Sequence, residues 1–153
     1  MSLEARALDT TERELLARSP FFSGLGAARL ERVAALGRVL SFPGDTRIYT
    51  VGDAVDDFYV LTHGIVRFSL GLGKRDTSAG DIIRSGKVFG WAALMERYPL
   101  RIATAYCITS CEVVAIDGAQ LRALMESDHS TGFFIMKQLA VLLTSELTAF
   151  AAG

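Results

Sequence analysis

FGWAALMERYPLRIAT, residues 89–104, is the stretch that decides the fold of this chain. A strand end is followed by Gly90, which lets the backbone leave the strand sharply. Ala92 and Ala93 then leave little bulk over the free N–H groups of a short helix, and such groups attract anions. Arg101 follows eleven residues after the glycine, and its guanidinium offers a planar fork of donors that suits a phosphate. The stretch therefore predicts an anion-binding cassette.

Short β-rich runs fill residues 38–116 and are separated by turn residues. The turns recur about every 8 to 12 residues, which is typical of an antiparallel barrel or jelly roll. They lie at Pro43-Gly44, Gly52-Asp53, His63-Gly64, Ala79-Gly80 and Ser85-Gly86. The runs 58–61 and 65–68 flank one of these turns and predict a β-hairpin, which assigns His63 to a turn rather than to a site.

Helical periodicity of apolar residues comes before and after these runs. Asp117 can cap a helix that continues to about Met125, and residues 128–130 can begin a second helix that ends near Phe150. We therefore predict one α+β domain, an antiparallel β jelly-roll barrel flanked by short N-terminal helices and two C-terminal helices. Its parts within residues 1–153 are the N-terminal helices in 11–37, the barrel in 38–116 and the C-terminal helices in 117–150.

Length and charge exclude several classes of protein. The 153 residues are enough for one well-buried domain, and the net charge of −1 leaves no basic surface of the kind that binds nucleic acid. The apolar runs are far shorter than the roughly 20 residues that span a bilayer, and no signal-peptide pattern opens the chain. We expect a cytoplasmic protein with no membrane contact and, on length, no DNA-binding module in this chain.

Catalytic and metal-binding patterns are missing from the sequence. Two histidines, His63 and His129, fall in different predicted loops, whereas zinc and iron sites need three or four converging ligands. Cys107 and Cys111 would lie about 13 Å apart in one straight strand, too far for a disulfide, whereas a turn at Thr109-Ser110 would bring them closer. In either case we expect two buried thiols in a reducing cytosol. No nucleophile motif, P-loop or acid–base pair stands out. We predict no catalytic residues, no metal and no enzymatic activity.

Residues 89–104 resemble the phosphate-binding cassette of the cyclic nucleotide-binding domain, which is found in catabolite-activator-type bacterial regulators, kinase regulatory subunits and cyclic-nucleotide-gated channels. The rest of the chain resembles this family in order, from about Leu15 to Phe150. The matching segments are SPFFSGLGAARLERVA at the N-terminal helices, FPGDTRIYTVGDAVDDFYVLTHGIVRF at the first strands, and CEVVAIDGAQLRALM at the last strand and the helix after it.

The resemblance implies roles for six residues. Arg101 matches the arginine that pairs with the cyclic phosphate, while Gly90, Ala92 and Ala93 match the positions whose amides bind it. Trp91 stands where the family has a glutamate that accepts the ribose 2′-hydroxyl. Since an indole has a donor and no acceptor, Trp91 can line or fill the pocket but cannot replace that carboxylate.

Ile102 also departs from the family pattern, because the bacterial activator has a hydroxyl residue at this position. Both departures predict weaker binding of cAMP or cGMP than is usual in the family. A smaller anion held by Arg101 and the helix start alone stays an alternative.

The final helix has two apolar stripes, which is more than one barrel wall needs. One stripe comprises Phe133, Met136, Ala140, Leu143, Leu147 and Phe150, and the other comprises Ile135, Leu139 and Leu142. In the resembled family this helix covers the ligand on one side and pairs with its twin on the other. The resemblance therefore implies a homodimer through this helix, with burial of a single helix on its own barrel as the alternative.

Three functions follow from these observations. The first is a regulatory ligand-binding module that senses a cyclic nucleotide or a related small anionic metabolite, with no cofactor apart from that ligand. The second is a degenerate domain that binds no nucleotide and serves for dimerisation or protein interaction, with Trp91 filling the pocket. The third is a cupin-type enzyme on a similar barrel, which the shortage of histidines disfavours.

Overall fold

The computed structural model describes the backbone of residues 4–72 and 75–152 and the side chains of residues 4–69 and 82–145. Its helices and strands follow the predicted order of helix, strands and helix. They are α1 (Thr10–Arg18), a 3-10 helix (Ser23–Leu25), α2 (Ala27–Ala34), β1 (Gly37–Phe42), β2 (Arg47–Tyr49), β3 (Asp57–His63), β4 (Ile65–Leu72), β5 (Arg75–Arg84), β6 (Val88–Phe89), the cassette helix (a 3-10 helix, Trp91–Leu94), β7 (Thr104–Cys107), β8 (Cys111–Asp117), α3 (Gly118–Ser127) and α4 (His129–Ala152).

The strands form two antiparallel sheets that pack face to face. The first sheet has the order β1-β8-β3-β6 and the second has the order β2-β7-β4-β5. The predicted α+β class with a jelly roll and flanking helices is confirmed, with one refinement. Within the described backbone the two sheets remain separate, so the roll is a sandwich rather than a closed barrel.

The predicted hairpin between the third and fourth strands is wrong. β3 pairs with β6 and β8 in the first sheet, whereas β4 pairs with β5 and β7 in the second. Gly64 lies between them at φ +100°, and a Cβ there would collide with the Ser110 carbonyl and with Cys111. This glycine therefore turns a corner from one sheet to the other instead of closing a two-stranded turn. His63 is the exposed last residue of β3.

The central strands β8 and β3 of the first sheet are buried on both faces, which explains their nearly continuous apolar runs. Phe58 and Val60 of β3 point into a helix-side core shared with α1, α2, α3 and α4, while Tyr59 and Leu61 point into an inter-sheet core. In β8 the residues alternate in the same way, Val114 with Ile116 toward the helices and Val113 with Ala115 toward the second sheet. The candidate site lies where these two cores meet.

Side-chain caps begin the helices where the sequence predicts them. Asp117 accepts a hydrogen bond from the Gln120 amide at 2.9 Å, which starts α3. Asp128 starts α4 by accepting from the Thr131 amide at 3.4 Å, and its other oxygen accepts from the Thr131 hydroxyl at 2.8 Å. Within the part of the chain that the structure describes, every helix is too short or too polar to cross a lipid bilayer.

Candidate functional site

Gly90 forms the corner at which the chain leaves β6. Its backbone is left-handed, with φ +77° and ψ +35°, a conformation that favours glycine. A Cβ added at this position would lie 3.0 Å from the Tyr59 ring, 3.2 Å from Arg101 Nη1 and 3.3 Å from the Asp57 carbonyl oxygen. The absence of a side chain at Gly90 therefore gives the arginine room to approach the backbone.

Arg101 lies inside the roll, at the predicted position beside Gly90. Only 3% of its surface is exposed. Nη1 donates to the Gly90 carbonyl at 3.3 Å and Nη2 donates to the Asp57 carbonyl at 2.6 Å. Nε is buried and has no hydrogen-bond partner among the residues that the structure describes. The structure thus brings the two ends of the predicted cassette into contact and leaves one donor of the guanidinium unused.

A column of aromatic rings covers the guanidinium from the inter-sheet side. Arg101 Cζ lies 4.1 Å from the centroid of Tyr49 and 5.7 Å from that of Tyr59, within the range of cation–π attraction. Tyr59 stacks on Phe89 at 4.9 Å, and Phe68 meets Phe89 edge-on at 5.7 Å. Burial, followed by the nearby charge of Asp56, raises the pKa of the Tyr59 hydroxyl, which therefore stays neutral and cannot act as a counter-ion.

The two consecutive carboxylates before β3 are used differently. Asp57 is buried and accepts two hydrogen bonds from Arg38, at 2.7 and 3.2 Å, and this bonding raises the pKa of Arg38. Asp56 is largely exposed, and one of its oxygens lies 3.4 Å from Arg101 Nη2. Since Asp57 is engaged by Arg38, Asp56 is the carboxylate that faces Arg101 across the edge of the site.

The remaining predicted site residues take different positions. Trp91 is half-buried, packs on the helix-side core and meets the Tyr98 ring edge-on at 5.6 Å. Ala92 and Ala93 are buried in the cassette helix, which has only four residues and therefore a weak dipole. Ile102 is 52% exposed. Trp91 thus packs in a different core from the aromatic column, which joins the inter-sheet core around Arg101.

Helix α3 holds the far end of the cassette. Arg122 Nη1 donates to the Ala93 carbonyl at 2.6 Å, at the C-terminal end of the cassette helix, where a cation is favourable. The Gly118 amide donates to the Asp56 carbonyl at 2.9 Å, and a Cβ at Gly118 would lie 2.9 Å from the Ala93 carbonyl oxygen. α3 therefore contacts both the cassette and the loop that carries Asp56.

Both cysteines lie in the inter-sheet core. Cys107 and Cys111 are buried and unbridged. Burial raises the pKa of the Cys107 thiol to about 12, with a contribution from its hydrogen bond to Cys111, so the thiol stays protonated and unreactive at neutral pH. The described residues contain no group of three or more His, Cys, Asp or Glu side chains that could hold a metal.

Residues 39–128 match the family model of the cyclic nucleotide-binding domain, which is more than half of the chain. The chain belongs to the cyclic nucleotide-binding domain family. It is 34% identical over 122 residues to the cAMP-dependent protein kinase regulatory subunit of Candida albicans, a match that covers 77% of this chain and 25% of that protein. The chain spans about a quarter of the length of the curated relatives it matches.

Solved structures share the fold at lower sequence identity. The catabolite activator protein of Thermus thermophilus has a TM-score of 0.72 at 23% identity, covering 88% of this chain and 61% of that one. The sensor domain of the transcriptional regulator DNR from Pseudomonas aeruginosa has a TM-score of 0.75 at 14% identity, covering 90% and 91%. These likenesses show that the cyclic nucleotide-binding fold is shared.

Sequence reasoning missed three residues of the site. Tyr49 covers the guanidinium, Asp57 supplies a carbonyl to it, and Asp56 supplies a carboxylate. A usable signal was present, because two consecutive acidic residues stand directly before an apolar strand, where at least one must lie close to the core. Tyr49 gave no comparable signal, since an aromatic residue in a short strand is ordinary.

Proposed function

We propose that this domain is a regulatory ligand-binding module that senses a small anionic ligand, with a cyclic nucleotide as the first candidate, through Arg101. The observation that carries the proposal is the burial of this guanidinium with Nε unpaired. Burial of a cation with an unpaired donor costs free energy unless a group of opposite charge binds to it. An oxyanion is such a partner, and phosphate suits the guanidinium fork.

The charges around Arg101 support an anionic ligand. Its two shortest hydrogen bonds go to carbonyl oxygens, which carry no net charge. Asp57, the buried carboxylate beside it, is paired with Arg38. Among the described residues this leaves the exposed Asp56 as the neighbouring negative charge, at a distance that gives a weak bond. The cation is therefore poorly neutralised by the domain itself.

Membership of the family supports a cyclic nucleotide, and the matched regulatory subunit is named for its dependence on cAMP. Trp91 and Ile102 argue for weak binding of a nucleotide. A missing acceptor for a sugar hydroxyl costs about 1–3 kcal/mol, which is about tenfold to a hundredfold in affinity. The cytoplasmic location expected from the sequence is part of this proposal.

Calorimetric titration with cAMP, cGMP and inorganic phosphate tests the proposal. We expect binding to the unaltered domain and its loss in Arg101→Ala. The matched control is Arg97→Ala, which removes an exposed arginine of the same loop. Trp91→Glu restores an acceptor for the ribose, so it should tighten cAMP and cGMP but leave inorganic phosphate unchanged. Heats equal to dilution for every ligand, in the unaltered domain and in Trp91→Glu, would refute a ligand-sensing role.

The aromatic column supports a second candidate function. The rings of Tyr49, Tyr59, Phe68 and Phe89 occupy the inter-sheet core beside Arg101, and space filled by rings is not open to a sugar and base. On this alternative the domain binds no nucleotide and serves as a dimerisation or protein-interaction unit. Absence of binding in the titration, together with a stable dimer, would favour it.

We also propose a homodimer through α4. Ile135 and Leu139 of one predicted stripe are buried on the domain itself. In the other stripe Phe133 is 70% exposed, and Met136 is also exposed; Leu147 and Phe150 lie outside the described side chains. Leu143 of the same stripe packs half-buried against the helix-side core. Phe133, Met136 and Ala140, which are exposed and lie three and four residues apart, form an apolar surface that suits a second copy of the same helix.

A further inference from the structure

We infer that Asp56 is an internal competitor of the ligand, which holds the edge of the Arg101 guanidinium that an incoming oxyanion needs and so discriminates against ligands of higher negative charge. The inference rests on the proposed function, because it assumes that an anion binds at Arg101. It assigns to Asp56 control of both the affinity and the charge preference of the site.

The arrangement of bonds around the guanidinium shows which edge is available. The end of the fork, formed by Nη1 and Nη2, is occupied by the carbonyl oxygens of Gly90 and Asp57. Tyr49 covers one face of the group. The side of the fork is formed by Nε and Nη2. Among the described side chains, Nε has no partner there and Nη2 has one weak contact. A phosphate oxygen pair that binds in a bidentate manner would use this side.

The weak contact on that side is the one made by Asp56. Its Oδ1 lies 3.4 Å from Nη2 and also accepts a hydrogen bond from the Asp57 amide at 2.6 Å. The side chain of Asp56 is 68% exposed and that of Arg101 is 2% exposed. The carboxylate can therefore move into water at little cost, whereas the guanidinium cannot leave. A ligand that binds must displace Asp56 from Nη2 or share the donor with it.

Charge discrimination follows from Coulomb's law. When a ligand is bound, the Asp56 carboxylate is a neighbouring like charge, and its repulsion doubles when the ligand charge doubles. A cyclic phosphodiester carries one negative charge, whereas a phosphate monoester carries nearly two above its second pKa of about 6. Asp56 should therefore penalise a monoester more than a cyclic diester of the same nucleoside.

The test compares cAMP with AMP at pH 8, because the two share base and ribose and differ in phosphate charge and in ring closure to O3′. The difference in ring closure cancels when each variant is compared with the unaltered domain for the same ligand. Asp56→Asn removes the charge but keeps an oxygen that can accept from the Asp57 amide, so the loop should keep its shape; thermal unfolding checks that it does. Glu96→Gln is the control, since it removes an exposed carboxylate just after the cassette helix whose described ion-pair partner is Arg122, at 3.9 Å. Affinities are measured by calorimetry for the three proteins.

We expect Asp56→Asn to tighten cAMP by about two- to fivefold, the range for a partly exposed ion pair. AMP should tighten by a larger factor, up to about the square of the gain for cAMP, because the repulsion energy doubles with the ligand charge. Glu96→Gln should change both by less than about twofold. Binding that becomes measurable only in Asp56→Asn also supports the inference. If the unaltered domain binds and Asp56→Asn gives no gain, or an equal gain for the two nucleotides, the inference is wrong while the proposed function stands. No binding of either nucleotide by any of the three proteins refutes the inference, and the proposed function is then decided by the separate titrations of inorganic phosphate and of Trp91→Glu.

Discussion

At the scale of single residues, Gly90 controls whether Arg101 can lie inside the roll. Two properties of the glycine are needed together: a left-handed backbone, and an empty position where other residues have a Cβ. The backbone property alone would admit an asparagine at modest cost. The crowding by Tyr59, Arg101 and the Asp57 carbonyl would not admit any side chain without movement. The corner is therefore built around the arginine.

Replacement of this glycine should damage stability and binding at once. Gly90→Ala forces a Cβ into the left-handed region, at about 1–2 kcal/mol, and into contacts of 3.0–3.3 Å that must relax. Gly86→Ala is the matched control, because Gly86 has φ +95° but open space around its Cβ position. Urea unfolding should show Gly90→Ala to be less stable than Gly86→Ala by about 1–3 kcal/mol.

Ligand titration of the same pair separates the two effects. Gly90→Ala should weaken anion binding, because its Cβ displaces the guanidinium, while Gly86→Ala should leave binding unchanged. Equal stability of the two variants with normal binding by both would show that Arg101 does not depend on the empty position at Gly90.

The sequence predicts this corner well, and its charged neighbours poorly, for a physical reason. Gly90 and Arg101 are separated by eleven residues within one local segment, so their spacing is visible in the chain. Asp56 and Tyr49 reach the same guanidinium from 45 and 52 residues away, across the fold. No periodicity connects residues that meet only because two sheets pack face to face, and their roles appear only in the folded structure.

At the scale of elements, strand pairing also depends on contacts between residues that are far apart in the sequence. Turn residues around His63 indicate that the chain reverses, but they do not specify whether the next strand stays in the same sheet. A Cβ at Gly64 would clash with Ser110 and Cys111. These two residues lie in the turn before β8 and at the start of β8, far from Gly64 in the sequence. The strands themselves were predictable from local composition, whereas their assignment to sheets depended on this long-range packing.

The two apolar stripes of helix α4 differ in burial: Ile135 and Leu139 are buried, whereas Phe133 and Met136 are exposed. Phe133→Asp places a charge in the exposed stripe and should convert a two-chain species into a monomer in analytical ultracentrifugation, with little loss of domain stability. Val141→Asp is the control: Val141 is also exposed, at 56%, but lies about 100° around the helix from Ala140 and outside the stripe.

The outcome of this comparison distinguishes the stripe from general surface effects. Dissociation by both variants would point to nonspecific repulsion, since each adds the same charge to the same helix. A monomer in the unaltered domain at tens of micromolar would contradict the proposed homodimer directly.

At the scale of the whole molecule, the cassette joins the two cores. Phe89 belongs to the inter-sheet core with Tyr59, while Ala93 and Leu94 belong to the helix-side core with α3 and α4. A six-residue segment thus has one end beside Arg101 and the other against the C-terminal helices. Because packed interiors resist small deformations, a shift of the cassette on ligand binding should be passed to the helices rather than absorbed.

Arg122 is the polar link through which this shift should reach α3. Its bond to the Ala93 carbonyl at 2.6 Å joins the helix to the cassette, and the described contacts place it on no other part of the ligand site. Hydrogen exchange measured with and without cAMP should therefore show a ligand-dependent change in α3. Arg122→Gln should cut that change by at least half while leaving the cAMP affinity within about threefold, because Arg101 and its partners are untouched. Arg97→Gln, the control, should keep the full change. An undiminished response of α3 in Arg122→Gln would show that the signal travels by the apolar contacts of Ala93 and Leu94 instead.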